Sequence, residues 1–173
     1  MSSGKRGGLL SSYRRKTAME GGDELTIDAS CVLKRLWQGS MPPVEQALPA
    51  FSIIVLAADS YQPESVAWRG RVVRAPMEDA EPSQNDIVRA LAAAREVATE
   101  IRRGGRALIT CHAGLNRSGL ICAMTILMLR PKATPDAAIK VIRARRDPQA
   151  LSNPHFVTAI RNLWSSRTPT ARR

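Results

Sequence analysis

From Leu25 onward, apolar residues recur along the chain at spacings that assign each run a structure. Leu25–Ile27 and Val32–Trp37 alternate apolar and polar positions over strand lengths and close at Gly39-Ser40, which predicts a pair of short strands. Pro42-Pro43 then predicts a short helix through about Leu48. Phe51–Ala57 is continuously apolar, the pattern of a strand covered on both faces, and Val66–Ala75 predicts another. Beyond a polar loop at Pro76–Ser83, the residues Ile87, Leu91, Ala94, Val97 and Ile101 follow helical spacing, with Asn85 or Asp86 as the expected cap and Gly104-Gly105 as the stop. Arg106–Thr110 predicts a strand. Ser118–Leu129 is apolar nearly all round, so that helix should be central and buried, ending before Pro131. Thr134-Pro135 caps a helix over Asp136–Arg146, and Ser152 or Asn153 caps a last one through Trp164 with Phe156, Ile160 and Leu163 facing inward. Strands, a strand–loop–helix unit and then helices indicate an α/β domain with a central, mostly parallel sheet flanked by helices.

Composition refines this picture. A chain of 173 residues with 44% hydrophobic and 24% charged residues has the length and balance of one globular domain. The net charge of +11 is unevenly placed: Lys5, Arg6, Arg14, Arg15 and Lys16 stand against Glu20 near the start, and Arg167, Arg172 and Arg173 close the chain. The expected organisation is a disordered basic tail over 1–22, a folded domain over 23–166 and a basic tail over 167–173. The first residues lack the apolar core of a secretory signal and read as a solvated tail, with Met19 an alternative start. No run approaches the roughly 18 apolar residues of a membrane span. Three cysteines do not make a disulfide framework.

Chemistry concentrates at Leu108-Ile109-Thr110-Cys111-His112-Ala113-Gly114-Leu115-Asn116-Arg117-Ser118-Gly119. A loop between a strand end and a helix start can turn successive amides inward, and the helix adds about half a positive charge at its N-terminus. Such a nest cradles phosphate. Arg117 contributes a planar fork that can take two phosphate oxygens. In that field a cysteine thiol ionises readily, so Cys111 is placed as a nucleophile aimed at phosphorus. Gly114 permits the tight turn, and Ser118 offers a hydroxyl to the sulfur.

Cys111-His112-Ala113-Gly114-Leu115-Asn116-Arg117-Ser118 resembles the Cys-x5-Arg-Ser/Thr signature of the cysteine-dependent phosphatases, most closely their dual-specificity branch. Leu36-Trp37-Gln38-Gly39-Ser40 is similar to an early strand of that branch, and the resemblance covers roughly residues 25–165. It implies phosphate binding by the loop from His112 through Ala113, Gly114, Leu115 and Asn116 to Arg117. It also implies a general acid in the Pro76–Ser83 loop, where Pro-x-x-Asp matches at Asp79, with Glu78 and Glu81 as competitors. One position departs: the family usually has His before the nucleophile, where it helps hold the loop, and here Thr110 stands there. His112 reads as a solvent-edge residue and Cys122 as a packed core thiol. Arg143, Arg145 and Arg146 read as a solvated or substrate-facing edge, and Asn153 is given no catalytic role.

The implied activity is a phosphomonoesterase acting on phosphotyrosine and phosphoserine/phosphothreonine proteins through a phosphocysteine, with Cys111, Arg117, Asp79 and Ser118 as the catalytic set. Neither a metal nor a cofactor is called for. A working thiolate needs a reducing compartment, so the cytoplasm is the expected location. Expected partners are phosphoprotein substrates, with nonspecific acidic partners drawn to the basic tails. Two alternatives come from other classes. One is an RNA 5′-triphosphatase, disfavoured because the basic excess sits in tails and few aromatics are available for stacking. The other is a non-catalytic phosphopeptide-binding module, against which an intact Cys111, Arg117 and Ser118 argue.

Overall fold

In the computed structural model, which describes residues 27–45, 47–48 and 50–165, the strands β1 (Ala29–Leu33), β2 (Leu36–Ser40), β3 (Ile53–Ala58), β4 (Arg71–Met77) and β5 (Ala107–Cys111) form one sheet. Its order is β1-β2-β5-β3-β4, with β1 antiparallel to β2 and every other pairing parallel. Four helices follow the sequence in the same numbering: α1 (Gln84–Arg102), α2 (Arg117–Leu129), α3 (Pro135–Arg145) and α4 (Pro154–Ser165). The expected mostly parallel sheet with flanking helices is therefore present.

Period-two alternation explains how the sheet is covered. Ile53, Val55 and Ala57 of β3 and Ala107, Ile109 and Cys111 of β5 pack into one core shared with all four helices. Their intervening neighbours Ile54, Leu56 and Leu108 pack on the other face with Leu48, Phe51 and Trp68, which come from connecting segments. Burial of both faces makes β3 and β5 continuously apolar. β5 lies centrally between β2 and β3, so its carboxyl end, Cys111, emerges at the middle of the sheet edge where ligands bind in open α/β sheets. α2, buried from Ser118 to Leu127, runs from there through the core.

Several boundaries differ from expectation. The run Val32–Trp37 is not one strand but the join of the β1–β2 hairpin, because Arg35 takes the left-handed conformation, φ 68°, that a tight turn needs. Of the strand expected at 25–27 only Ile27 lies among the described residues; it is buried but outside β1. The segment after Pro42-Pro43 forms a turn at Val44-Glu45 and no helix among its described residues; Val44 O accepts from Ala67 N at 2.7 Å, so this segment is tied to the β3–β4 connection instead. The strand expected from Val66 starts at Arg71. Ser83 caps α1 in place of Asn85 or Asp86: Ser83 Oγ accepts from Asp86 N and Asp86 Oδ2 accepts from Ser83 N, a reciprocal box worth about 1 kcal/mol. Thr134 caps α3 with Pro135 at its first turn, as expected. The tails at 1–22 and 167–173 lie outside the described residues.

Candidate active site

The loop 112–116 is held from outside by side chains on its carbonyl oxygens. Gln38 Nε2, buried in β2, donates to Gly114 O at 3.1 Å and Leu115 O at 3.2 Å. Arg146, just beyond α3, donates from Nε to Gly114 O at 3.0 Å and from Nη2 to Ala113 O at 3.3 Å, while both its Nη atoms take Asp28 at 2.7 Å. Leu151 N reaches Leu115 O. In a planar trans peptide the next N–H points opposite its carbonyl, so the amides of Gly114, Leu115 and Asn116 face away from these supports, toward the inside of the loop. Gly114 lies at φ 66°, and a Cβ there would fall 2.3 Å from the Gly39 carbonyl carbon. Backbone meets backbone at that point. A Cβ at Gly39 would in turn fall 2.4 Å from Asp28 O, which explains the glycine in the Gln-Gly-Ser end of β2.

The sequence-predicted residues converge on this loop. Cys111, 3% exposed, donates its thiol to Ser118 Oγ at 3.3 Å on the first turn of α2. Arg117 donates from Nη1 to Asp59 Oδ1 at 3.0 Å, just past the end of β3; its Nε is buried and meets no acceptor among the described residues. Asp79 stands across the loop with both oxygens engaged: Oδ2 accepts from Asn116 Nδ2 at 3.0 Å and Oδ1 from Asn153 Nδ2 at 2.9 Å. Asn116 Oδ1 accepts in turn from Asn153 N and Ser152 Oγ, both at 3.2 Å. Asn153 Nδ2 also holds Ala80 O at 3.0 Å, and Asn153 Oδ1 receives His155 N at the start of α4. The Pro76–Ser83 loop, the 112–116 loop and the entry to α4 are thus one hydrogen-bonded assembly. Glu78 and Glu81 are exposed, and His112 is exposed as expected.

Thr110 spends its hydroxyl on Val55 O at 3.0 Å, bridging β5 to β3, so Gln38 and Arg146 carry the loop-holding task. Burial pushes the Cys122 thiol well above its ordinary value, helped by the neighbouring Cys111, and burial likewise raises Cys31; both stay protonated near neutral pH.

Reading Arg143, Arg145 and Arg146 as a solvated or substrate-facing edge is corrected for Arg146, whose side chain is only 7% exposed. Arg143 and Arg145 are exposed, although the Arg143 guanidinium is held by Ala150 O and Leu151 O. Asn153, passed over in the sequence, is the anchor of Asp79. Asp59 had no local signal at all.

A family model of the dual specificity phosphatase catalytic domain matches residues 52–165. Among solved structures, a mouse putative dual specificity phosphatase, crystallised with zinc tungstate, is similar at TM-score 0.72 and 18% identity, covering 89% of this chain and 97% of that one. Human DUSP28 is similar at TM-score 0.65 and 17% identity, over 80% of this chain and 94% of that one. Tk-PTP in its active form gives TM-score 0.65 and 23% identity, over 80% and 97% respectively. No curated protein matches. At such identities the structures speak for the fold alone, whereas the family model spans well over half of the sequence and takes in both the Pro76–Ser83 loop and the Cys-x5-Arg loop. The chain belongs to the dual specificity phosphatase catalytic-domain family.

Proposed function

We propose that this protein is a phosphomonoesterase that removes phosphate from phosphotyrosine and phosphoserine/phosphothreonine proteins by way of a phosphocysteine. The observation that carries this reading is the direct bond from Asn116 of the Cys-x5-Arg loop to Asp79, which sets a carboxyl group against the loop that surrounds the thiol. The Cys111 thiolate attacks phosphorus, forming P–S as the P–O ester bond breaks; Asp79 gives its proton to the departing oxygen. Each carboxyl oxygen has two lone pairs, so the acid can carry that proton while the asparagine amides hold it. Arg117 Nε and the inward amides of 114–116 take the equatorial phosphoryl oxygens, with Asp59 on Nη1 fixing the plane of the guanidinium. Water then attacks phosphorus, Asp79 accepts its proton, P–S breaks and orthophosphate leaves, with Ser118 donating to the emerging thiolate. The reaction requires no metal or cofactor.

The catalytic unit is residues 23–166, with the basic tails outside it. A reducing cytoplasm suits the thiolate, and no helix among the described residues is long and apolar enough to cross a membrane. The test is turnover of matched phosphotyrosine and phosphothreonine peptides in EDTA, with vanadate as inhibitor and Cys111→Ser as control. Both peptides should be cleaved by the native protein and neither by the variant. Turnover of 5′-triphosphate RNA alone would replace this reading with the RNA one, and phosphopeptide binding without any turnover would replace it with a binding module.

A further inference from the structure

The far end of α2 opens a second concavity, unrelated to the phosphate loop. α2 runs from Arg117 to Leu129, so at 1.5 Å per residue its two ends lie about 18 Å apart. Around its C-terminal end, α1, the α2–α3 connection and the end of α4 enclose a cleft of about 990 Å³. Its floor is apolar, with Met128 and Trp164 over the buried Leu127; its walls carry Arg95, Arg102 and Lys132 and, among the described residues, no aspartate or glutamate. Arg95 and Arg102 are seven positions apart and so share one face of α1. Arg102 Nη2 donates to Met128 O at 2.7 Å and fixes one wall. Arg95 and Lys132 are exposed and meet no carboxylate among the described residues.

We propose that this cleft docks an acidic segment of a partner protein, anchored by a bulky apolar side chain on the Met128–Trp164 floor. Charge selects the occupant. Three cations without a counter-carboxylate among the described residues favour an anionic ligand over a basic one such as a second copy of a chain with net charge +11. The apolar floor selects a peptide over a nucleic-acid backbone, because phosphates would satisfy the cations and leave the floor bare. Placed remote from Cys111, such docking would raise the affinity of a tethered phosphosite without altering the chemistry.

The probe is a fluorescein-labelled hexapeptide Glu-Asp-Leu-Phe-Glu-Asp, followed by anisotropy with the full chain. Saturable binding is expected, weakened at least tenfold by the double variant Arg95→Glu/Lys132→Glu and at least threefold by replacing the probe's Leu-Phe with Ser-Ser. Hydrolysis of p-nitrophenyl phosphate and the melting temperature should stay unchanged in that variant, and Arg95→Ala/Lys132→Ala should give an intermediate loss. No saturable binding up to 1 mM, or binding insensitive to both variants, overturns the proposal. So does a labelled single-stranded RNA 12-mer that binds more tightly than the peptide and is lost in the same variant. Because the readout is binding, it stands or falls separately from the phosphatase reading.

Discussion

Replacing Arg146 tests whether the 112–116 loop is shaped by its outer supports. The guanidinium makes two bonds to loop carbonyls and two to Asp28. Asp28's side chain is 42% exposed, so water discounts that pair to about 0–1 kcal/mol. A charged donor to a carbonyl contributes about 1.5–3 kcal/mol, with the 3.3 Å bond to Ala113 at or below the low end. Gly114 O keeps Gln38 when Arg146 is removed, which trims the loss further. Arg146→Ala should therefore destabilise the fold by about 2–4 kcal/mol, a fall in Tm on the order of 5–15 °C for a chain of this size. Arg146→Lys keeps the charge but cannot span Asp28 and both carbonyls, and should lose about half as much. Denaturant melts of Arg146→Ala, Asp28→Asn and the double variant give the coupling energy. Vanadate inhibition, measured well below the new Tm, reads the loop itself, and about tenfold weaker inhibition is expected. A loss under 0.5 kcal/mol with vanadate affinity unchanged would refute the buttress.

Further outcomes follow from the same geometry. Asp79→Asn should cost about 10²-fold with alkyl phosphates and less with p-nitrophenyl phosphate, a better leaving group; equal losses would move the acid to Glu78 or Glu81. Asn153→Ala, which frees Asp79 Oδ1 and Ala80 O, should reproduce part of that leaving-group dependence, whereas a uniform loss across substrates would make it a folding residue only. Iodoacetamide near neutral pH should label Cys111 in the native fold and spare Cys122, as peptide mapping can establish. Asp28 loses hydration on burial, but the bonds and charge of Arg146 and a bond from Ser40 outweigh that and set its pKa below the ordinary 3.8. The unfolded chain then takes up the proton first, so this stability is intact above about pH 4 and disappears as pH falls through the lowered value. Asp28→Asn should flatten acid unfolding in that window, and an unchanged acid limb would contradict the linkage.

What the sequence revealed depended on whether an interaction is local. The unit β5–loop–α2 was legible because two-sided burial makes β5 uniformly apolar and central burial does the same for α2, leaving a cysteine and an arginine at the only polar break. Helix α1 was legible from its period, though its cap was not, since Ser83, Asn85 and Asp86 are equally good capping residues and only the fold of the preceding loop selects among them. The hairpin turn hid inside an alternating run because Arg35 is not a residue that advertises a positive φ. The supporting cast was illegible for a single reason: Gln38, Arg143, Arg146 and Asn153 act on backbone atoms or on partners many positions away, and Asp59 meets Arg117 only because β3 and β5 are neighbours in the sheet.

The β1–β2 hairpin bears on where a working unit can be cut. The family match begins at residue 52, and every group proposed to touch phosphate lies within it. Gln38, Gly39 and Asp28 do not, yet they seat the loop carbonyls and supply its backbone neighbour. A chain trimmed to the matched region would keep all the reactive atoms while exposing the edge of β5 that β2 now covers, and with it an unpaired strand ready to add to another. Self-association of such a fragment would trace back to the loss of a hairpin that performs no chemistry.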